Sequence, residues 1–277
     1  MLTANLGVLL AQSGQRVMIA DLDLGAANLH TFIEQQEMGY GLDGFLNKDV
    51  PSLDRAVVPT RIPGLDFLNS VNCTIEIANL YAAQKEKIIR ALRDLSYDYV
   101  FMDLGAGTHF NTLDFFLTSQ RGFFIITPEP TSIENAFTFI KAVYSRILKR
   151  ILKTAPFQKV ARSLDLPKSD MARPFRTIGA VLRADDGLGR LLKEELKAYG
   201  FCFVINQLRR WDDPGLGPKI QQICNKYFYA DFKFLGNIRH DEAIHEAIHM
   251  QEIFITRPTR TPGNLDLNQI ARTIAEI

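Results

Sequence analysis

The chain of 277 residues predicts an α/β fold: a doubly wound, mostly parallel sheet with helices on both faces, of the Rossmann-like kind. Two observations carry this. Short, continuous apolar runs recur and end abruptly in polar or small residues, as strands buried on both faces do. Segments with apolar residues at three- and four-residue spacing alternate with them, as the crossover helices of a parallel sheet require.

In chain order, Leu2 to Gln12 reads as a helix, and Arg16-Val-Met-Ile-Ala20 as a strand ended by Asp21. Gln84 to Arg93 is the next helix. The run Tyr99-Val-Phe-Met102 ends at Asp103, and Phe123-Phe-Ile-Ile126 ends at Thr127. A long helix over Ser132 to Leu152 follows. Residues 154–187 break the rhythm with Pro156, Pro167, Pro174 and Gly187, which predicts an insertion within one domain spanning 1–277. Leu188 to Tyr199, Leu216 to Tyr227, Asp241 to Met250 and Leu265 to Ile277 read as helices. Between them lie the runs Phe201–Ile205, ended by Asn206, and Phe232–Leu235, ended by Gly236.

Composition narrows the function classes. Apolar residues make up 47% and charged residues 23%, the mix of an ordinary globular protein. The 32 basic and 31 acidic residues leave a formal net charge of +1. That balance points away from a nucleic-acid partner and gives no argument for a membrane; only a local patch could supply one. Cys73, Cys202 and Cys224 form no C-x-x-C pair, so they make neither a disulfide framework nor a cysteine-based zinc motif, which fits a reducing cytosol. No apolar run approaches the roughly 20 residues needed to span a bilayer, and the N-terminus does not read as a signal peptide.

The chemistry gathers at strand ends. In a doubly wound sheet, ligands bind at the carboxyl ends of the strands. Asp21, Asp103, Thr127 and Asn206 are therefore brought toward one crevice by topology. An isolated Asp after a strand is more often a turn residue or a helix cap; several polar strand ends together favour a site. Asp21-Leu-Asp23 places two carboxylates after one strand, and Asp103-Leu-Gly-Ala-Gly107 places another before a permissive loop. Mg²⁺ is held by one or two carboxylates with phosphate oxygens and water, and phosphoryl transfer needs mainly positioning and charge neutralisation.

Five ordered segments resemble the MinD/ParA family of P-loop ATPases, closest to its flagellar-number branch (FlhG/FleN). Asp21-Leu-Asp-Leu-Gly-Ala-Ala-Asn28-Leu resembles switch I. Tyr97 to Gly107 is similar to the Walker B strand with switch II. Thr127-Pro-Glu-Pro-Thr-Ser132 resembles the next strand end, Asn206 in Val-Ile-Asn-Gln resembles the adenine-reading asparagine, and Phe234 to Ile244 resembles the segment that closes the pocket. The resemblance implies ATP and Mg²⁺ as cofactors. Asp23 would help hold Mg²⁺ and orient the attacking water, which Asn28 supports. Asp103 would bind Mg²⁺ through water, Asp21 would join the acidic cluster, and Gly107 would let the backbone approach the γ-phosphate. It also implies a spatial regulator of flagellar number or placement, with a nucleotide-dependent homodimer and a protein of a localisation or flagellar system as its expected partners. Such a protein works in the cytoplasm or peripherally at the inner face of the membrane.

Two departures stand out. Gly105 occupies the place of the family's switch II proline, which predicts a looser loop. Thr3-Ala-Asn-Leu-Gly7 matches the helix that follows the family's G-K-G-G-V-G-K-[S/T] loop, and no G-x-x-x-x-G-K-[S/T] occurs in these 277 residues. The family's strand before that loop lies beside the one ending at Asp103. Without it the chain is expected to be poorly soluble or partly unfolded, and to bind ATP weakly.

Other readings compete. A non-catalytic interaction module would keep the fold without turnover. His245-Glu-Ala-Ile-His249 is a literal H-E-x-x-H, which on a helix could bind zinc with Glu246 as general base; it needs a third ligand. The bland reading makes it an amphipathic helix with Ala243, Ile244, Ala247 and Ile248 inward. Ile140 to Lys153 is a basic amphipathic helix that could dock on anionic lipid; the bland reading packs its stripe at 140, 143, 144, 147, 148, 151 and 152 into the domain. The C-terminal segment from Leu265 carries one Arg and shows no membrane-seeking anchor.

Overall fold

A computed structural model describes residues 1–73, 80–119, 121–163, 174–258 and 260–277. These form two compact units, one built from Met1–Ala106 with Arg239–Ile277 and the other from Gly107–Ile238.

The first unit opens with α1 (Leu2–Gln12), followed by β1 (Val17–Asp21), α2 (Gly41–Asn47), β2 (Val58–Pro59), β3 (Leu65–Leu68), α3 (Ala82–Arg93) and β4 (Tyr99–Asp103). Its sheet runs β2-β3-β1-β4. β1 is parallel to both β3 and β4, while β2 is antiparallel to β3. The expected two-sided burial holds for β1, whose five residues are all buried. It does not hold for β4, which among the described residues pairs with β1 alone and is half-buried at every position. α10 (Glu242–His249) and α11 (Pro262–Ala275) return to this unit, and α11 packs on α1. Asn5, buried in α1, holds the returning chain by accepting from the Ile255 N–H at 2.9 Å.

The second unit contains α4 (Phe110–Phe116), β5 (Arg121–Ile126), α5 (Pro130–Ile151), α6 (Ala155–Ser163), α7 (Pro174–Ala184), α8 (Asp186–Lys197), β6 (Gly200–Leu208), α9 (Leu216–Phe228) and β7 (Asp231–Arg239). Its sheet runs β5-β6-β7, with β5 parallel to β6. An aromatic core fills it: Phe124, Phe201 and Phe232 lie within 6.3 Å of one another by ring centroids, and Tyr144 meets Phe228 at 4.5 Å.

α5 starts where Pro130 stands in the first turn, where a missing N–H costs nothing, and the Ser132 hydroxyl accepts from the Thr127 N–H at 3.0 Å. Ile140, Val143, Tyr144, Ile147, Leu148, Ile151 and Leu152 are all buried. Each such side chain gains roughly 1.5–3 kcal/mol on burial. Turning the stripe out to lipid would forfeit an amount on the order of a whole domain's stability of about 5–15 kcal/mol. The stripe is core, and lipid docking through it is excluded. In the expected insertion, Pro156 lies in the first turn of α6 and Pro174 opens α7; residues 164–173, Pro167 among them, lie outside the described residues. No helix among the described residues is long and apolar enough to cross a membrane.

Candidate functional site

The carboxyl edge of the first sheet carries the acidic cluster. Register sets Asp21 of β1 directly beside Asp103 of β4. Asp21 is 1% exposed. Its Oδ2 accepts from the Leu29 N–H at 2.9 Å, and its Oδ1 from the Asp23 N–H at 3.2 Å. Those bonds fold the segment after β1 back over the strand end. Burial pushes the Asp21 carboxyl above the ordinary range; the two N–H donors oppose this, while the Asp103 and Asp23 charges add to it. Asp21 thus organises the loop from the inside, and Asp23 and Asp103 are the carboxylates left for other work.

Asp103 Oδ1 accepts the Thr3 hydroxyl at 2.8 Å. Its Oδ2 has no protein partner among the described residues. Asp23 is half-buried and sits against Gly105. A Cβ at Gly105 would stand 2.5 Å from Asp23 Oδ1, closer than atoms approach. The glycine in the proline position therefore makes room for the Asp23 carboxylate, a steric requirement that the expectation of a looser loop did not contain. Asn28 lies on the exposed rim, and its carboxamide makes no hydrogen bond within the described residues.

Gly107 and Asn206 belong to the second unit. Gly107 has φ +95°, a left-handed conformation that side-chain-bearing residues rarely adopt. At the carboxyl edge of β5 and β6, Ile126 is level with Ile205. Thr127 and Asn206 are thus one step beyond the matched pair. β6 does not stop there, as expected, but runs to Leu208 through Gln207 at φ +59°. Asn206 is the first residue of that strand since Gly200 that is not buried. β7 likewise runs past Gly236 to Arg239. Burial, followed by the Asp43 and Asp21 charges, pushes the Cys73 thiol up to about 12, and burial pushes Cys224 up to about 12. Both are neutral thiols at physiological pH.

Sequence reasoning missed three polar groups. Thr3 was read only as part of a helix, because its partner lies 100 residues away. Asn69 and Ser70, buried at 0% and 1% exposure just after β3, were missed with the strand itself. Their one signal is a polar pair directly after the apolar Phe67-Leu68.

On α10, His245 and His249 are exposed, with ring centroids 6.5 Å apart. Glu246 pairs with Arg257 at 3.4 Å. No third His, Cys, Asp or Glu joins the two histidines among the described residues. Of the expected apolar face, Ala247 is buried, but Ile248 is 40% exposed. The same search finds no three-ligand group at the acidic edge. A cation between Asp23 and Asp103 would thus rely on water and phosphate oxygens, which is how Mg²⁺ is commonly held.

Known proteins give this geometry a context. No family model matches the chain. Antiactivator FleN of Pseudomonas aeruginosa is 27% identical over 98% of this chain and 80% of its own length. Septum site-determining protein MinD of Synechocystis is 29% identical over 48% of this chain, and the match spans only 50% of that protein. Among solved structures, MinD of Pyrococcus horikoshii complexed with Mg-ADP superposes with a TM-score of 0.64 at 17% identity, covering 99% of this chain and 88% of that one. The fold is the Rossmann-like P-loop NTPase fold, α/β with mostly parallel strands flanked by helices.

Proposed function

We propose, starting from a chain that is similar to the MinD/ParA ATPases in sequence and shares their fold, that this protein is a nucleotide-dependent spatial regulator that binds Mg²⁺-ATP. The observation that carries the reading is the acidic edge: Asp21 and Asp103 in register on adjacent parallel strands, with the Asp23 carboxylate seated against Gly105. Asp23 and Asp103 hold the cation with its water shell, and Thr3 fixes the orientation of the Asp103 carboxylate. The bound Mg²⁺ neutralises charge on the phosphates. Asp23 and Asn28 position the attacking water, Gly107 lets the backbone close on the γ-phosphate, and Asn206 reads the adenine.

No G-x-x-x-x-G-K-[S/T] phosphate cradle occurs in these 277 residues. The half-buried Tyr99, Val100, Phe101 and Met102 of β4 are the residues that a further strand pairing along β4 would cover. By its resemblance to the flagellar-number branch of that family, with the likeness to Antiactivator FleN in support, the protein acts on flagellar number or placement through a nucleotide-dependent homodimer and a protein partner.

The test is Mg²⁺-dependent ATP binding and hydrolysis by the chain joined to a family-type strand and loop, with Asp103→Asn and Asp23→Asn beside it. Tight Mg²⁺-dependent binding with turnover, lost in both variants, is expected. Tight binding without turnover would assign the non-catalytic module. No Mg²⁺-dependent binding would overturn the nucleotide reading.

A further inference from the structure

We infer that α9 guards the outer edge of β7 against pairing with a second copy of this chain. The side chains of Gln221 and Asn225 stand in for the neighbouring strand. β7, nine residues long, is paired with β6 alone among the described residues and so ends its sheet. A long edge strand presents a row of unpaired N–H and C=O groups, which template association with another chain. Phe232, Phe234, Leu235 and Ile238 give β7 the apolar character that favours such pairing. β2, which ends the other sheet, is protected by its brevity: it has two residues, one of them Pro59. β7 is neither short nor broken by a proline.

One helix meets the open groups of that edge. Successive residues of a strand direct their backbone groups to opposite edges, so Phe232 and Phe234 serve the same one. The Phe232 N–H donates to Asn225 Oδ1 at 2.8 Å, and Asn225 Nδ2 donates back to the Phe232 carbonyl at 3.2 Å. A carboxamide carries the donor and acceptor of a peptide group, so Asn225 reproduces the two-bond exchange of a strand pair. The Phe234 N–H donates to Gln221 Oε1 at 3.1 Å. Gly217 leaves room for the Phe234 ring, which a Cβ there would overlap. Just ahead of the helix, the Pro214 carbonyl accepts from Asn237 Nδ2 at 3.2 Å. Positions 214, 217, 221 and 225 thus meet 237, 234, 234 and 232 in turn, and α9 runs back along the edge.

Seating the helix does not require these carboxamides. Ile220, Cys224 and Phe228 are buried and fix α9 to the core. Gln221 and Asn225 lie one position further round the helix, half-buried at the border of that arc. Apolar side chains would cover the edge there equally well, but they could not bond to the strand's amides. Bonding to those amides is what the two positions share.

The test compares the 277-residue chain with Q221A/N225A and Q221K/N225K. Alanine and lysine are both strong helix formers, so α9 itself is kept in each. Both variants lose the bonds to β7, and the lysines also set charges along the edge, which oppose pairing. Hydrogen–deuterium exchange by mass spectrometry is followed over 231–239 and over 99–103, with molar mass from light scattering, at two concentrations about a hundredfold apart. In the parent, exchange at 231–239 should be slow and independent of concentration. In dilute solution both variants should exchange there at least about tenfold faster. On concentration, the alanine variant should double in mass relative to the parent and regain protection at 231–239, while the lysine variant should do neither. Exchange at 99–103, in β4, should be the same in all three. The proposal is overturned by unchanged exchange at 231–239, or by a loss of protection spread over the whole chain. It is also overturned by an alanine variant that keeps the parent's mass, by a lysine variant that associates equally, or by association that protects 99–103 instead.

Discussion

Gly105 shows how much of the candidate site depends on a missing atom. Any side chain there must displace Asp23, whose Oδ1 lies 2.5 Å from where a Cβ would stand. Gly105→Ala is therefore expected to weaken Mg²⁺-dependent ATP binding by at least about tenfold, or about 1.4 kcal/mol, while thermal unfolding moves little. Titration calorimetry against the melting curve would separate the two effects. Asp21 has a different role, set by its burial. A carboxyl whose folded pKa lies above its unfolded one contributes stability that is complete below the unfolded value, about 3.9 for a free Asp. That stability is lost as pH rises through the folded value. Burial raises Asp21 in this way. Its share of the unfolding free energy should therefore decline as pH climbs from about 4 toward neutrality. Asp21→Asn should flatten that decline in denaturant unfolding measured across the range. His245 and His249 stand outside the nucleotide chemistry. Their double alanine variant should leave nucleotide binding and melting unchanged, and the purified protein should carry no stoichiometric zinc by elemental analysis.

At the scale of elements, the sequence was readable where one physical cause dominated. The runs at Val17, Tyr99, Phe123, Phe201 and Phe232 announced strands because continuous apolar residues have few other uses. β2 and β3 went unseen because they have two and four residues, and Asp66 interrupts the second. The short helices α2 and α4, of seven residues each, give too few turns for a period to emerge. Strand ends failed for a related reason: the polar residues Asn206 and Gln207 look like a stop, yet β6 continues through both. The acidic edge was legible because Asp21 and Asp103 follow apolar runs. Thr3 and the Asp23–Gly105 contact were not, since both are made between segments about 80 to 100 residues apart. α5 was legible as amphipathic, and only packing could show which side faces inward. Ile147→Ala should cost about 2–5 kcal/mol, read from denaturant unfolding, because Ile147 is 0% exposed. The same variant should leave binding to anionic vesicles unaltered, as the stripe never reaches lipid.

At the scale of the whole molecule, β4 is the weak element. In a parallel sheet an inner strand has neighbours on both sides and is covered on both faces. β1 meets that description; β4 has one neighbour among the described residues, and its Tyr99, Val100, Phe101 and Met102 are half-buried. An apolar strand with an unpaired edge also invites association with other chains. Each unmet backbone group that becomes buried costs about 1–3 kcal/mol, so a few of them weigh heavily against a total of about 5–15 kcal/mol. A strand added ahead of Met1 would pair with β4, cover those side chains and place a G-K-G-G-V-G-K-[S/T] loop above Asp103. The 277-residue chain should therefore melt early, aggregate on warming and bind ATP weakly. The chain carrying a family-type strand and loop should melt cooperatively at higher temperature and bind ATP with Mg²⁺. Calorimetry and ATP titration of the two forms side by side provide the check. Equal melting and equal ATP hydrolysis in both would show that β4 needs no such neighbour and that the phosphates are held elsewhere.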